Sequence, residues 1–222
     1  MNIQILHISK HTLVQSLRWF ELIAIFIGLP LLYFFDLIPF HKFIPLLIVF
    51  SILLFIILRD KSFSRYKLGF NGFRDWKPIL FRFIIFAVLS IIVIFFSAPQ
   101  HLFMLPKENT SLWILIMVFY PMWSVYPQEL IYRTWFFRRY RALVTEERTF
   151  FILNAVLFSF SHIIFRNWLA IIMTFAGGLM FAYTYRKSNS LMVVFTEHML
   201  YGNFIFTVGI GHYFYLPMLE GT

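Results

Sequence analysis

The chain has no cysteine. That absence removes disulfides, a thiol nucleophile and every thiolate metal site together. Aspartate is nearly missing as well: it stands only at positions 36, 60 and 75, all outside the long apolar runs, which excludes a catalytic aspartate pair within those runs. No Gly-x-Ser-x-Gly turn occurs, and the only Ser-x-x-Lys, Ser64 to Lys67, lies in a basic loop without the serine-enzyme motifs that should accompany it. A His-Glu-x-x-His zinc helix is also absent, because Glu197-His198 is in the reverse order and Gly202 stands where a second ligand would be. Charge of either sign is scarce, at 13% of residues.

What fills the chain instead is hydrocarbon. Of its 222 residues 60% are hydrophobic, and the mean hydropathy of +0.78 lies beyond ordinary soluble domains. The net charge of +9 is carried by short basic runs between apolar stretches. That is the pattern of the positive-inside rule, and it argues against nucleic acid as a partner. Residues Met1 to Leu17 are too polar for a signal-peptide core and lack a small-residue cleavage site, so the first apolar span is expected to stay as an anchor.

Seven spans are predicted, at about 19–35, 42–58, 79–97, 112–137, 149–165, 168–185 and 190–210, each near the roughly 17–25 residues that a membrane helix needs. The expected fold is therefore all-α, a polytopic transmembrane bundle forming a single membrane domain over 1–222. Basic residues cluster before span one, from Arg59 to Lys77, from Arg138 to Arg148 and at Arg186-Lys187, whereas the alternate loops hold only Lys42, Lys107 and Arg166. This places the N-terminus in the cytoplasm and the C-terminus at Thr222 outside, in a multi-pass protein of the cell membrane with lipid as its surroundings. Gly69 and the Asn71-Gly72 pair mark turns in the first large basic loop. Arg82 is expected to snorkel back to the cytoplasmic face, and Glu21 to pair with Arg18. Ala170, Thr174, Gly178 and Ala182 recur every four residues, a smooth stripe on which another helix can pack closely.

Against this background the polar residues inside the spans are conspicuous. Glu129 and Arg133 lie four apart in span four, so they share a face and can neutralise each other, just after Pro127, which should bend the helix. Charges in hydrocarbon cost at least about 2.5–3.5 kcal/mol each on insertion scales, so a role is expected for both. His162 in span five, and Glu197, His198 and Asn203 in span seven, reach depths that overlap that of Glu129. Each also has a structural reading: Glu129 with Arg133 as a buried pair, His162 as an interhelical hydrogen-bond donor, Asn203 as a bridge between helices, Phe158 as packing. If the sites converge, Glu129, His162 and His198 should line one polar cavity open toward the cytoplasm, with Arg133 against Glu129.

Together these residues resemble the CAAX protease and bacteriocin-processing family of membrane-embedded peptidases, also called the Abi family. Its motifs are Glu-Glu-x-x-x-Arg, Phe-x-x-x-His and His-x-x-x-Asn on three membrane helices. Here they read Gln128-Glu129-Leu130-Ile131-Tyr132-Arg133, Phe158-Ser159-Phe160-Ser161-His162 and His198-Met199-Leu200-Tyr201-Gly202-Asn203, within a family-like core at 110–210. The resemblance implies an intramembrane peptidase acting on a peptide or membrane protein. Glu129 and His162 would activate a water, His198 and Asn203 would hold the oxyanion, and Gln128 and Arg133 would support them. Members are described as metal-dependent or as glutamate peptidases, so zinc on Glu129, His162 and His198 is an open alternative. Two positions depart from the pattern. Gln128 replaces the first glutamate, and an amide cannot be a general base. Asn203 comes five residues after His198 instead of four, which turns it by about 100° unless a π-bulge at Gly202 re-aims it. Two other readings follow from the same residues: a catalytically inactive membrane immunity or scaffold protein of the same fold, and a small transporter using the charged residues as a proton relay.

Overall fold

The computed structural model describes residues 2–71 and 73–214, with side chains from residue 12 onward. Gly72 of the expected turn and the C-terminal Thr222 lie outside the described residues. Among the described residues there is helix and no strand. Seven helical runs carry the chain through the fold, and they are labelled here α1 (2–34), α2 (Phe43–Arg59), α3 (Lys77–Ser97), α4 (Thr110–Tyr140), α5 (Glu147–Phe165), α6 (Trp168–Ser188) and α7 (Leu191–Val208). Six of them are long and apolar enough to cross a membrane, α1 by its part Thr12–Phe34. The shorter α2, with 17 residues, spans about 25 Å at helical rise. The expected all-α polytopic bundle is thus what the sequence folds into.

Helix ends are written in the sequence. Asn167 caps α6 by accepting from the backbone N–H groups of Leu169 and Ala170 at 2.8 and 3.3 Å. At the other end Asn189, at φ 48°, terminates α6 in the left-handed region, and the next residue, Ser190, caps α7 through the Val193 N–H at 3.1 Å. One left-handed residue and one cap therefore turn α6 straight into α7. The small-residue stripe works as expected: Ala170 and Ala182 are fully buried, and a Cβ built on Gly178 would lie 2.9 Å from the Cα of Ala155. Helices α5 and α6 approach until their backbones nearly touch.

α4 is a single run with two π segments, Pro121–Val125 and Leu130–Trp135, on either side of the short α-helical stretch Tyr126–Glu129. Pro121 and Pro127 supply no N–H, so the regular ladder cannot pass through them. The bend expected at Pro127 takes the form of these wider turns, and Glu129 sits between them.

Two charged residues are placed otherwise than expected. Arg82 does not snorkel: its Nη2 donates to Glu197 Oε1 at 2.6 Å and to Thr184 Oγ1 at 3.1 Å, tying α3 to α6 and α7. Glu197 has no exposed surface, and an unpaired carboxylate there would cost more than Arg82 gains by reaching water. Glu21 binds Arg139, with contacts of 2.6 to 3.2 Å, and accepts from the Tyr140 hydroxyl at 2.7 Å, because the C-terminal end of α4 lies opposite it.

The basic loops gather at one end of the bundle. Arg138 pairs there with Asp60, Lys187 with Asp75, and Ser190 with the carbonyl of Gly69. The opposite end holds the α1–α2 connection, with Arg166 on Asp36 at 2.6 Å and Lys42 over the ring of Phe165 at 4.3 Å.

Candidate active site

Glu129 and Arg133 are both fully buried, and the carboxylate Oε2 lies 3.2 Å from Arg133 Nε. The guanidinium is held on all sides: Nη1 donates to Asn154 Oδ1 at 2.5 Å, Nη2 reaches the Gly178 carbonyl at 3.5 Å, and the plane lies over the rings of Phe158 at 5.0 Å and Phe181 at 5.9 Å. Asn154 in turn donates to the carbonyl of Tyr132, inside the second π segment, at 2.8 Å. The small residue at 178 is what lets the α6 carbonyl come within reach.

The other carboxylate oxygen faces a different helix. Glu129 Oε1 is 2.7 Å from Nδ1 of His198 on α7, a contact between residues 69 apart in sequence. The imidazole stacks on Phe181, with centroids 4.5 Å apart at 22°, and meets Phe158 edge-on at 5.8 Å. An ionised carboxylate only accepts, so Nδ1 carries a proton, and in the neutral ring Nε2 is then the atom with the lone pair. A tenth of the His198 side chain is accessible, whereas none of Glu129 is.

His162 comes from the 3₁₀ end of α5. Its Nδ1 lies 2.7 Å from the carbonyl of Phe158, which can only accept, so here too the proton is on Nδ1 and Nε2 is bare. Phe158 touches this ring as well, at 4.9 Å, so one phenyl group separates the two imidazoles.

His162 lines a cavity of about 600 Å³ between α1, α2, α4 and the end of α5. Its walls are mostly apolar, and its polar members include Tyr120, Gln128 and Lys42. Lys42, His41 and Phe165 lie at the end opposite the basic loops, so the cavity is placed toward that end and not toward the basic one as the sequence suggested. Nor is it the shared polar cavity expected: His162 lines it, but Glu129 and His198 are not among its lining residues, because residue counting carried no information on which helices part from one another. Burial lowers the Lys42 ammonium to about 8, and burial, then the neighbouring Lys42, lowers the His41 imidazole.

The remaining expected residues are placed as follows. Gln128 donates from Nε2 to Ser124 Oγ at 2.8 Å and forms part of the cavity wall. Asn203 is not brought to His198: α7 is regular with no π-bulge, and the Asn203 amide donates to the carbonyl of Met117 on α4 at 3.3 Å. Two participants escaped the sequence reading. Asn154 had a signal, a polar side chain in the middle of an apolar span. Tyr120 had none.

The donor set does not fit a zinc ion. A catalytic zinc takes three protein ligands, but Glu129 Oε1 is taken up by His198 Nδ1 and Oε2 faces the Arg133 guanidinium at 3.2 Å without a hydrogen bond. Among the described residues no three His, Asp or Glu side chains gather where a metal could be held. What the arrangement offers is proton chemistry: a buried carboxylate behind one imidazole, a second imidazole on a cavity wall, and a fixed cation behind both.

Compared with known families, residues 107–204 match the one described as Rce1-like, type II CAAX prenyl endopeptidase Rce1-like. No curated protein and no solved structure gives a match. The matched stretch holds all of α4, α5 and α6, and α7 as far as Phe204, so every residue of the three motifs lies inside it. The stretch that carries Glu129, His162 and His198 is therefore the part of the chain similar to the CAAX prenyl endopeptidase family.

Proposed function

We propose that this chain is an intramembrane peptidase that hydrolyses a peptide bond with a water activated by the Glu129–His198 pair. The contact between Glu129 Oε1 and His198 Nδ1 at 2.7 Å carries the reading. Held in this way, the imidazole presents Nε2 as the base, and Glu129 stabilises the imidazolium that forms when the proton is taken. Glu129 itself has no surface on which to bind a water, so its part is to orient and to stabilise. His162 presents a second bare nitrogen from the cavity wall, where it can accept a hydrogen bond from a substrate N–H. Arg133 compensates the buried charge beside it at 3.2 Å. The apolar cavity suits an aliphatic or prenyl chain beside the scissile bond, in keeping with the prenyl endopeptidase description of the matched family.

The test uses purified protein in micelles and a set of internally quenched peptides, with and without a prenylated cysteine. Cleavage by the intact chain should fall by about 10³-fold or more in Glu129→Gln and in His198→Ala. If Glu129→Gln cleaves as well as the intact chain, the reading is wrong. If the intact chain leaves every peptide uncut, the inactive immunity or scaffold protein is left, for which the amide at Gln128 speaks.

A further inference from the structure

Gly202 follows His198 by one turn of α7, on the same helix face. No side chain fits there, because a Cβ built on Gly202 would lie 2.6 Å from the hydroxyl oxygen and 2.9 Å from Cζ of Tyr120. The phenol of Tyr120, delivered from α4 where its first π segment begins, therefore fills the place beside His198 that α7 itself leaves empty. One further turn along α7, Phe206 fixes the ring edge-on at 5.1 Å. Tyr120 forms part of the same cavity wall as His162, and its hydroxyl has no hydrogen-bond partner among the described residues. A half-buried tyrosine hydroxyl with no protein partner turns to whatever occupies the space it faces, here the cavity. An unmet donor on the wall of a cavity, next to a base, is a place for a ligand oxygen.

We propose that Tyr120 is a further catalytic residue whose O–H donates a hydrogen bond to the carbonyl oxygen of the scissile amide and to the oxyanion that develops on it. The inference rests on the peptidase reading and adds the group that receives the charge. In the step, a water gives one proton to His198 Nε2 while its oxygen bonds to the carbonyl carbon, and the C=O electron pair moves onto oxygen. Tyr120 keeps its proton and holds that oxygen by its hydrogen bond. When the pair returns, the C–N bond breaks and the proton on His198 passes to the departing nitrogen. One water is consumed, and nothing is oxidised or reduced.

Tyr120→Phe keeps the ring over Gly202 and removes only the donor. With the same quenched peptides, kcat should fall about 10²–10³-fold while KM stays within about threefold and the thermal midpoint is unchanged. Tyr120→Ala opens the space, and the double variant Tyr120→Ala with Gly202→Asn puts an amide donor into it; its turnover should exceed that of Tyr120→Ala by about tenfold or more. If Tyr120→Phe cleaves like the intact chain while Glu129→Gln is inactive, the peptidase reading stands and the role of Tyr120 is overturned. A kcat loss that comes with a lowered thermal midpoint and is not rescued in the double variant overturns it as well, in favour of a packing role. If the intact chain leaves every peptide uncut, or Glu129→Gln is fully active, both readings fall together.

Discussion

Lys42 stands at the mouth of an apolar cavity, and burial brings its ammonium from 10.5 to about 8. Between about pH 8 and pH 10.5 the unfolded chain holds a proton that the folded chain has released, so stability rises with pH across that window. Below about 8 the folded chain carries the full penalty of a desolvated cation. The thermal midpoint of the purified protein should therefore climb between about pH 7 and pH 10, and Lys42→Met should remove that climb. Identical pH profiles in the two proteins would show that Lys42 is hydrated in the folded state. At this scale the sequence was legible wherever hydrocarbon makes charge expensive: Glu129 and Arg133 declared themselves, and their four-residue spacing gave the contact between them. The partners across helices were not legible. Nothing local ties His198 to Glu129 rather than to Glu197 beside it, and Arg82 could reach either the membrane face or a buried acid. Tyr120 was hidden among 11 tyrosines, and only the empty space at Gly202 gives it a role.

Among the elements, α5 and α6 depend on one missing side chain. Gly178 already sets its Cα where a Cβ would press on the Ala155 backbone at 2.9 Å, and backbone cannot step aside as a flexible side chain does. Gly178→Val should part the two helices, at a cost of about 1–3 kcal/mol, and should also draw the Gly178 carbonyl away from Arg133. A lower thermal midpoint together with reduced peptidase turnover is the expected result, and a midpoint equal to that of the unaltered protein would contradict it. The stripe was readable from its interval of four, since small residues at that spacing have few other uses. The spans themselves were readable from apolar length, with ends within a few residues of those observed except at the start of the first, expected at about 19 and observed at Thr12. The π segments of α4 were not, because proline announces a break in the ladder without saying how the remaining bonds will close around it.

For the molecule as a whole, the expected orientation rests on the asymmetry of basic residues, and the fold gathers those residues at one end. Reporter fusions should therefore place the connections at 60–76 and 141–146 in the cytoplasm and the α1–α2 connection at 35–42 outside, with the cavity near the outer face. Reporters that put 35–42 and 60–76 on the same side would show that α2, the shortest run, does not cross. The two ends also differ in what holds them. At the basic end three partly exposed ion pairs, Arg138–Asp60, Arg186–Glu147 and Lys187–Asp75, join loops that are distant in sequence. At the cavity end the walls are rings and aliphatic chains, with a single exposed pair, Arg166–Asp36, beside them. Ionic strength therefore acts unequally along the bundle. At about 1 M salt the Debye length shrinks to about 3 Å, and the attractions that fasten the basic loops fade, while the cavity keeps its shape.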